Sequence, residues 1–555
     1  MPEWNVTPNP RRNSTLSQGT QRSNSLVEWF GYFEDSESNT MALVRKLGLS
    51  EGEMQDGKYH LAIALPPEAS EEVQKNLARM PDRQIFDFLV HYFVTDVHWS
   101  VVAILQYMFG PPIEQAVAET LGLLVHLPWF LAQYQRWWSL GQLPAVSDVE
   151  FAVLLLRICS YAPQFLPSPS HTIDRIRGMS LIEIRDVCGN IADELAAIAA
   201  RLHARGSLLR VQHLSFLGLG AQCEGRTNAF WEAIGSAIRV AQRAGIHRCF
   251  TVSMLEMHEL EKEMRRRVFC NLYIWDSLLS RQIDSIPFLP ASFSLEHLPR
   301  IHLALDIGAD APEPFLERSL QARLAGFWRS FIPRQGAEYD ATVAEERYEK
   351  FCTEFLTTLP PIFALEPNKE WDERLVRLPL QRQMLHIAIF DSLCYNFRPV
   401  LLREPSQVQS LPAYKQVLLA SQKKALAVAA LSVLEGVANL HTMLGGSHTR
   451  FAGIVFSTFE AALLLGALCM DGDFPGQHED AYHRGAPGKL DIDPLGSGKS
   501  RLTWDRCFQA SHQALARLRI LAAISKMAEV GAGTLARLLA KVKAPNPQVP
   551  SAQLA

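Results

Sequence analysis

The sequence predicts an all-α fold of stacked helical hairpins, and three observations carry that prediction. From about residue 83 onward, apolar residues recur at three- and four-residue spacing in one segment after another. Strand-like alternation bounded by turn pairs is scarce. In the clearest unit, 207–282, consecutive helical patterns are joined by short breaks, and such helix pairs bury their apolar faces only by stacking on others. No fixed-period repeat turns this into a solenoid array.

The elements follow in chain order. Residues 1–82 read as a disordered, linker-like segment; the first forty or so are rich in Ser, Thr, Asn, Gln and Pro. No hydrophobic signal-peptide core opens the sequence. "DRQIFDFLVHYFVTDVHW" places Ile85, Phe86, Leu89, Val90, Tyr92 and Phe93 on one broad face, with Asp82 as a candidate cap. Helical patterns continue near 112–126, 129–139, 148–159, 180–204, 207–222, 228–244 and 254–282. They resume near 315–331, 341–357, 374–397, 412–443, 451–470 and 502–541.

Within the central unit, Leu208, Leu209, Val211, Leu214 and Leu217 mark one helix. The break "CEGRTN" offers Asn228 as the N-cap of the next, which carries Phe230, Trp231, Ile234, Ala237, Ile238 and Ala241. Gly245 is placed to stop it. Gly235, Ser236 and Ala237 invite close approach by a neighbouring helix. A helical domain is expected over 83–345, then a C-terminal helical region over 346–555 interrupted by a long disordered loop near 471–500.

Composition bounds the function. The 555 residues are 48% hydrophobic and 20% charged with a net charge of −4, so no whole-chain field draws nucleic acid or anionic membrane. Nine cysteines are scattered along the chain, and most, in apolar helical contexts, read as reduced, buried thiols of a soluble intracellular protein. "FAGIVFSTFEAALLLGALCM" is long enough to span a bilayer, but Glu460 sits mid-span, and a helix buried in a helical domain explains the same pattern. No membrane contact is expected.

"EKEMRRRVFCNLYIWDSLLSRQ" sets three arginines against an apolar run. Successive helical residues turn by about 100°, so Arg265, Arg266 and Arg267 splay around the helix and cannot share one phosphate backbone. Glu261 and Glu263 stand four residues before Arg265 and Arg267, the orientation that favours helix ion pairs. The cluster therefore reads as the solvated entrance of a buried helix. Asp276 lies inside the apolar run and needs a partner if buried; Arg239, Arg243 and Arg281 are candidates, and a solvent-facing Asp276 is the alternative.

"GRTNAFWEAIGSAIRVAQRAGIHR", then "LEKEMRRRVFCNLYIWDSLLSRQ" and "IPFLP", resembles the middle homology region of the fungal-specific transcription factors. The matching positions are Trp231, Ala244, Gly245, Ile246, His247, Arg248, Glu263, Arg265, Arg266, Arg267, Phe269 and Asp276. Cys270 replaces a common aromatic, and "DSIPFLP" replaces the family's Gly-Arg-Pro turn. The resemblance implies a regulatory domain of zinc binuclear cluster regulators, working in the nucleus. Its implied partners are the transcription machinery or a DNA-binding regulator; a homodimer and a small-molecule effector are both compatible with it.

Members of that family read DNA with six cysteines that hold two zinc ions. No cysteine precedes Cys159 here, so zinc is expected only in a cluster that these residues do not contain, and direct DNA binding is not expected of this chain alone. "YFEDSESNTMALVRKLGLS" resembles the linker that follows such a cluster, so an upstream part carrying it is equally consistent. "SVVAILQYMFGPPIEQAVAETLGLLVHL" is longer than the family's usual connection and reads as an insertion or a mis-predicted exon. A helical scaffold, or a small-molecule-binding protein without DNA contact, is the alternative function.

Other motifs weaken on inspection. "DPLGSGKS" has Asp493 where a phosphate-binding loop needs glycine, and no strand precedes it. "HEDAYH" spaces its histidines by five, off a shared helix face. Ser215, His213 and His247 read as polar residues of a helical fold, and Cys270 as a packing residue with an unreactive thiol. The aromatic cluster Trp129, Phe130, Tyr134, Trp137 and Trp138 reads as core. No catalytic, cofactor-binding or metal-ligating residue is expected.

Overall fold

The computed structural model describes residues 63–94, 124–166, 173–248, 257–291, 298–299, 312–313, 315–331, 339–375, 377–444, 452–475 and 492–542. Almost all of the candidate insertion and of the helical pattern at 112–126, and the middle of the loop expected near 471–500, lie outside these residues.

The chain is built from helices, with a two-residue hairpin of β1 (Arg175–Ile176) and β2 (Met179–Ser180) between them. The helices form two hydrophobic cores. The first holds α1 (Pro67–Leu77), α2 (Arg83–Tyr92), α3 (Leu127–Ser139), α4 (Val146–Tyr161), α5 (Leu181–Leu202), α6 (Leu208–Cys223), α7 (Thr227–Arg243) and α8 (Glu259–Gln282). Helix α4 is its centre, packed against α5 and α6; α6 pairs with α7, and α7 leads to α8. Side chains set the helix starts. Asp82 accepts from the Gln84 amide at 3.1 Å, as its position predicts, and Ser180 and Ser207 cap α5 and α6 in the same way.

Three expectations shift. Helix α1 lies inside the segment expected to be linker-like, with Val73 fully buried and Arg79 paired to Glu194 of α5 at 2.8 Å. Its sequence, "PEASEEVQKNL", has too few apolar residues to announce a helix without its partner. Helix α7 begins at Thr227 with no side-chain cap, so Asn228 falls in the first turn and does not cap it. Gly235 is met by the ring of Phe288, 2.8 Å from where a Cβ would stand, and so accommodates a turn rather than a helix.

The second core is formed by α9 (Leu316–Arg329), α10 (Ala341–Lys350), α11 (Leu378–Phe397), α12 (Pro405–Gln409), α13 (Ala413–Met443), α14 (Ala452–Cys469), α15 (Gly496–Lys499), α16 (Trp504–Leu521) and α17 (Lys526–Leu539). The 31-residue α13 runs between α11 and α14, and α14 packs on α16 and α17. Both α13 and α14 are apolar because protein covers them, the reading the sequence favoured for α14. The pattern over 502–541 resolves into two helices at a break where Ser525 caps α17 through the Ala528 amide.

Both ends of the expected loop at 471–500 are docked. Phe474 and Leu495 are buried, and Asp493 accepts from Tyr348 Oη at 2.5 Å and from the amides of Leu495 and Gly496 at 3.1 and 2.8 Å. Two apolar anchors in a polar stretch, together with the bonds at Asp493, hold these ends. Helix α9 joins the two cores: Phe315, just before it, and Ala322 face the first, while Leu320 and Leu324 face the second.

Candidate functional site

The residues that carry the family resemblance fall into two groups. Trp231 of α7 lies against Phe288 with ring centroids 5.0 Å apart, and Phe288 fills the space beside Gly235. The Phe288 and Leu289 amides donate to the two oxygens of Asp276 at 3.0 and 2.9 Å, and Arg329 Nη2 of α9 donates to the same carboxylate at 3.1 Å. Arg329 also lies over the Tyr273 ring at 4.7 Å. Asp276 is therefore buried and paired, but with Arg329, which the sequence reading missed. Arg239 instead turns to Ser236 Oγ, 2.9 Å away. Nothing in local spacing signals a partner 53 residues on.

The second group closes α7 onto α8. Gly245 takes a left-handed φ of 71°, and the amides of Ile246 and Gly245 return to the carbonyls of Ala241 and Gln242 at 2.8 and 3.1 Å. This double bond pattern is a Schellman stop. His247 and Arg248 form the turn beyond it, partly buried. Arg265 then pairs with Glu261 at 2.9 Å and reaches back to the Ala244 carbonyl at 3.4 Å. Glu263, with no exposed surface, takes Arg266 at 3.0 Å and Arg267 at 2.8 Å. The arginine side chains are only 15%, 15% and 5% exposed. The predicted ion pairs form, but the cluster is a buried seam and not a solvated entrance.

The thiols fit the same picture. Cys270 is buried against the Arg318 carbonyl, and burial pushes its pKa well up. Burial also pushes Cys188 and Cys507 up to about 12. Ser215 Oγ donates to the Val211 carbonyl of its own helix at 2.8 Å, so it is not paired with His213.

Between the two cores lies a small pocket of about 40 Å³, open in part to solvent. Leu278, Arg281 and Gln282 reach it from the end of α8, and Asp391, Cys394 and Tyr395 from α11. Arg398 follows α11, and Val433, Phe456, Glu460, Ala461 and Leu464 come from α13 and α14. The Tyr395 ring contacts two guanidinium groups, Arg281 at 5.4 Å and Arg398 at 5.1 Å. Each also faces a carboxylate at loose range: Arg281 to Asp391 at 3.8 Å and Arg398 to Glu460 at 3.5 Å. Burial raises both carboxyl pKa values above their ordinary values, against the pull of the arginines. Sequence reading did not find this constellation, because its members come from four separate segments.

Comparison with known proteins agrees with the fold. The fungal specific transcription factor domain matches residues 118–322. The chain is 46% identical to Transcription factor xilB of Penicillium rubens over 540 residues, covering 95% of this chain and 75% of that protein. It is 36% identical to the Probable transcription factor sol4 of Alternaria solani over 488 residues, 86% of this chain and 82% of that one. Identity at that level, sustained along most of both relatives, shows that the chain belongs to the fungal-specific transcription factor family and is a regulator of transcription.

Proposed function

We propose that these helices are the regulatory body of a nuclear transcription factor, acting on transcription through protein partners and not by gripping DNA with their own basic cluster. The carrying observation is the fate of the three consecutive arginines. Arg265, Arg266 and Arg267 are engaged by Glu261 and Glu263 and are mostly covered, so they are not presented to a phosphate backbone. Sequence-specific contact with DNA falls, in this reading, to a zinc-holding cluster outside these helices or to a DNA-bound partner. No catalytic step is assigned.

The test is a fusion of this chain to a foreign DNA-binding domain in a fungal reporter strain. Nuclear accumulation with a changed reporter output is the expected result; an inert fusion held outside the nucleus would sink the reading. Purified chain should also show no sequence-specific shift of duplex DNA in titrations at physiological salt. A specific complex formed through residues 265–267 would contradict it.

A further inference from the structure

We propose that the pocket between the two cores receives a small organic acid, with its carboxylate held by Arg281 and a compact apolar body lying along Leu278, Val433 and Leu464. The proposal rests on the reading of the chain as a regulator only in making this binding the regulator's input. Arg281 Nε and Nη1 are buried and have no hydrogen-bond partner among the described residues. The carboxylate it faces stands at 3.8 Å, beyond hydrogen-bond range. A buried donor left unfilled costs about 1–3 kcal/mol, and a carboxylate fits the guanidinium fork with two parallel bonds.

The site is also pre-set. The Tyr395 ring packs against the guanidinium groups of Arg281 and Arg398, and its contact with the mostly covered Arg281 leaves that side chain less freedom to lose on binding. The two protein carboxylates choose the class of ligand. A doubly charged phosphate would meet Asp391 and Glu460, and a cation would meet the two arginines. A single carboxylate has only to displace Asp391 from one loosely held guanidinium. Asp391 is suited to being displaced, because its burial already disfavours its charge.

Position supplies the link to regulation. Arg281 ends α8 of the first core, while Asp391 belongs to α11 of the second. A ligand that takes Arg281 from Asp391 removes an ion pair across the seam and adds contacts of its own to both sides. It therefore favours one relative setting of the cores over another by its differential affinity.

The experiment uses the purified full chain, with melting curves and calorimetric titration against acetate, propionate and butyrate, acids small enough for a pocket of about 40 Å³. Their uncharged amides are the controls. At least one carboxylate should raise the melting temperature at millimolar concentration, and its amide should not. Arg281→Gln should weaken that binding by about tenfold or more, and Asp391→Asn, which removes the internal competitor, should tighten it several-fold. Carboxylates without effect, amides of equal effect, or binding that survives Arg281→Gln would each overturn the proposal. Should Arg281→Gln not fold, the direction of the Asp391→Asn change decides. The tethered reporter separates the two readings: a chain that regulates but binds no carboxylate loses only the pocket, and one that binds but never regulates loses only its role as a regulator.

Discussion

At Asp276 one carboxylate accepts two backbone amides from the turn after α8 and the guanidinium of Arg329 from α9. Removing it leaves two amides unanswered and the buried Arg329 guanidinium without its counter-charge, holding only the Leu289 carbonyl. Asp276→Ala should cost about 3–5 kcal/mol in chemical denaturation, and a loss under about 1 kcal/mol would show that the clamp is dispensable. His213 makes a different case. It is buried, neither ring nitrogen has a hydrogen-bond partner among the described residues, and burial beside Arg157 and Arg210 pulls its pKa well below 6.5. The folded state keeps it neutral, while the unfolded chain takes up a proton as pH falls through 6.5. Its contribution is intact above that pH and is lost progressively below it. His213→Leu should flatten the fall of the denaturation midpoint on acidification from pH 6.5 downward, and an unchanged slope would assign the acid sensitivity elsewhere.

Among the elements, the turn after α8 is fixed by what Gly235 lacks. A methyl group there would stand 2.8 Å from the Phe288 ring. Gly235→Ala should cost about 1–3 kcal/mol and change the emission of Trp231, which lies on that ring. The 492–500 segment offers a milder test. Asp493→Ala removes three accepted bonds, so cleavage near 492–502 by added protease should rise while global unfolding moves little. Equal cleavage in both proteins would mean that Leu495 anchors the segment unaided.

These elements also show how far the sequence could be read. Helices α2, α5, α6 and α8 are visible in it because each starts at a local side-chain cap, Asp82, Ser180, Ser207 and His258, and α13 because its apolar run is long. Helix α1 and the anchor at Leu495 are not, since each depends on a partner far along the chain. The motif positions were legible as a pattern and their roles were not: Asp276 needs Arg329, 53 residues on and out of reach of a spacing rule.

At the scale of the whole molecule, the two cores are separate in composition but share α9. Local damage to one should therefore be felt in the other. In hydrogen exchange, Asp276→Ala should raise opening in α11 and α13 as well as in α6 and α7; effects confined to the first core would mean that the two unfold independently. Shared membership also limits how α9 can change. A residue facing one core can be exchanged for another of similar size, but a shift or rotation of the helix alters both packings at once. In a genetic screen for regulators stuck in one output, substitutions along Leu316–Arg329 should therefore appear without touching DNA, partner or ligand. Each would imitate a signal by resetting the common wall, and second-site suppressors should arise in either core.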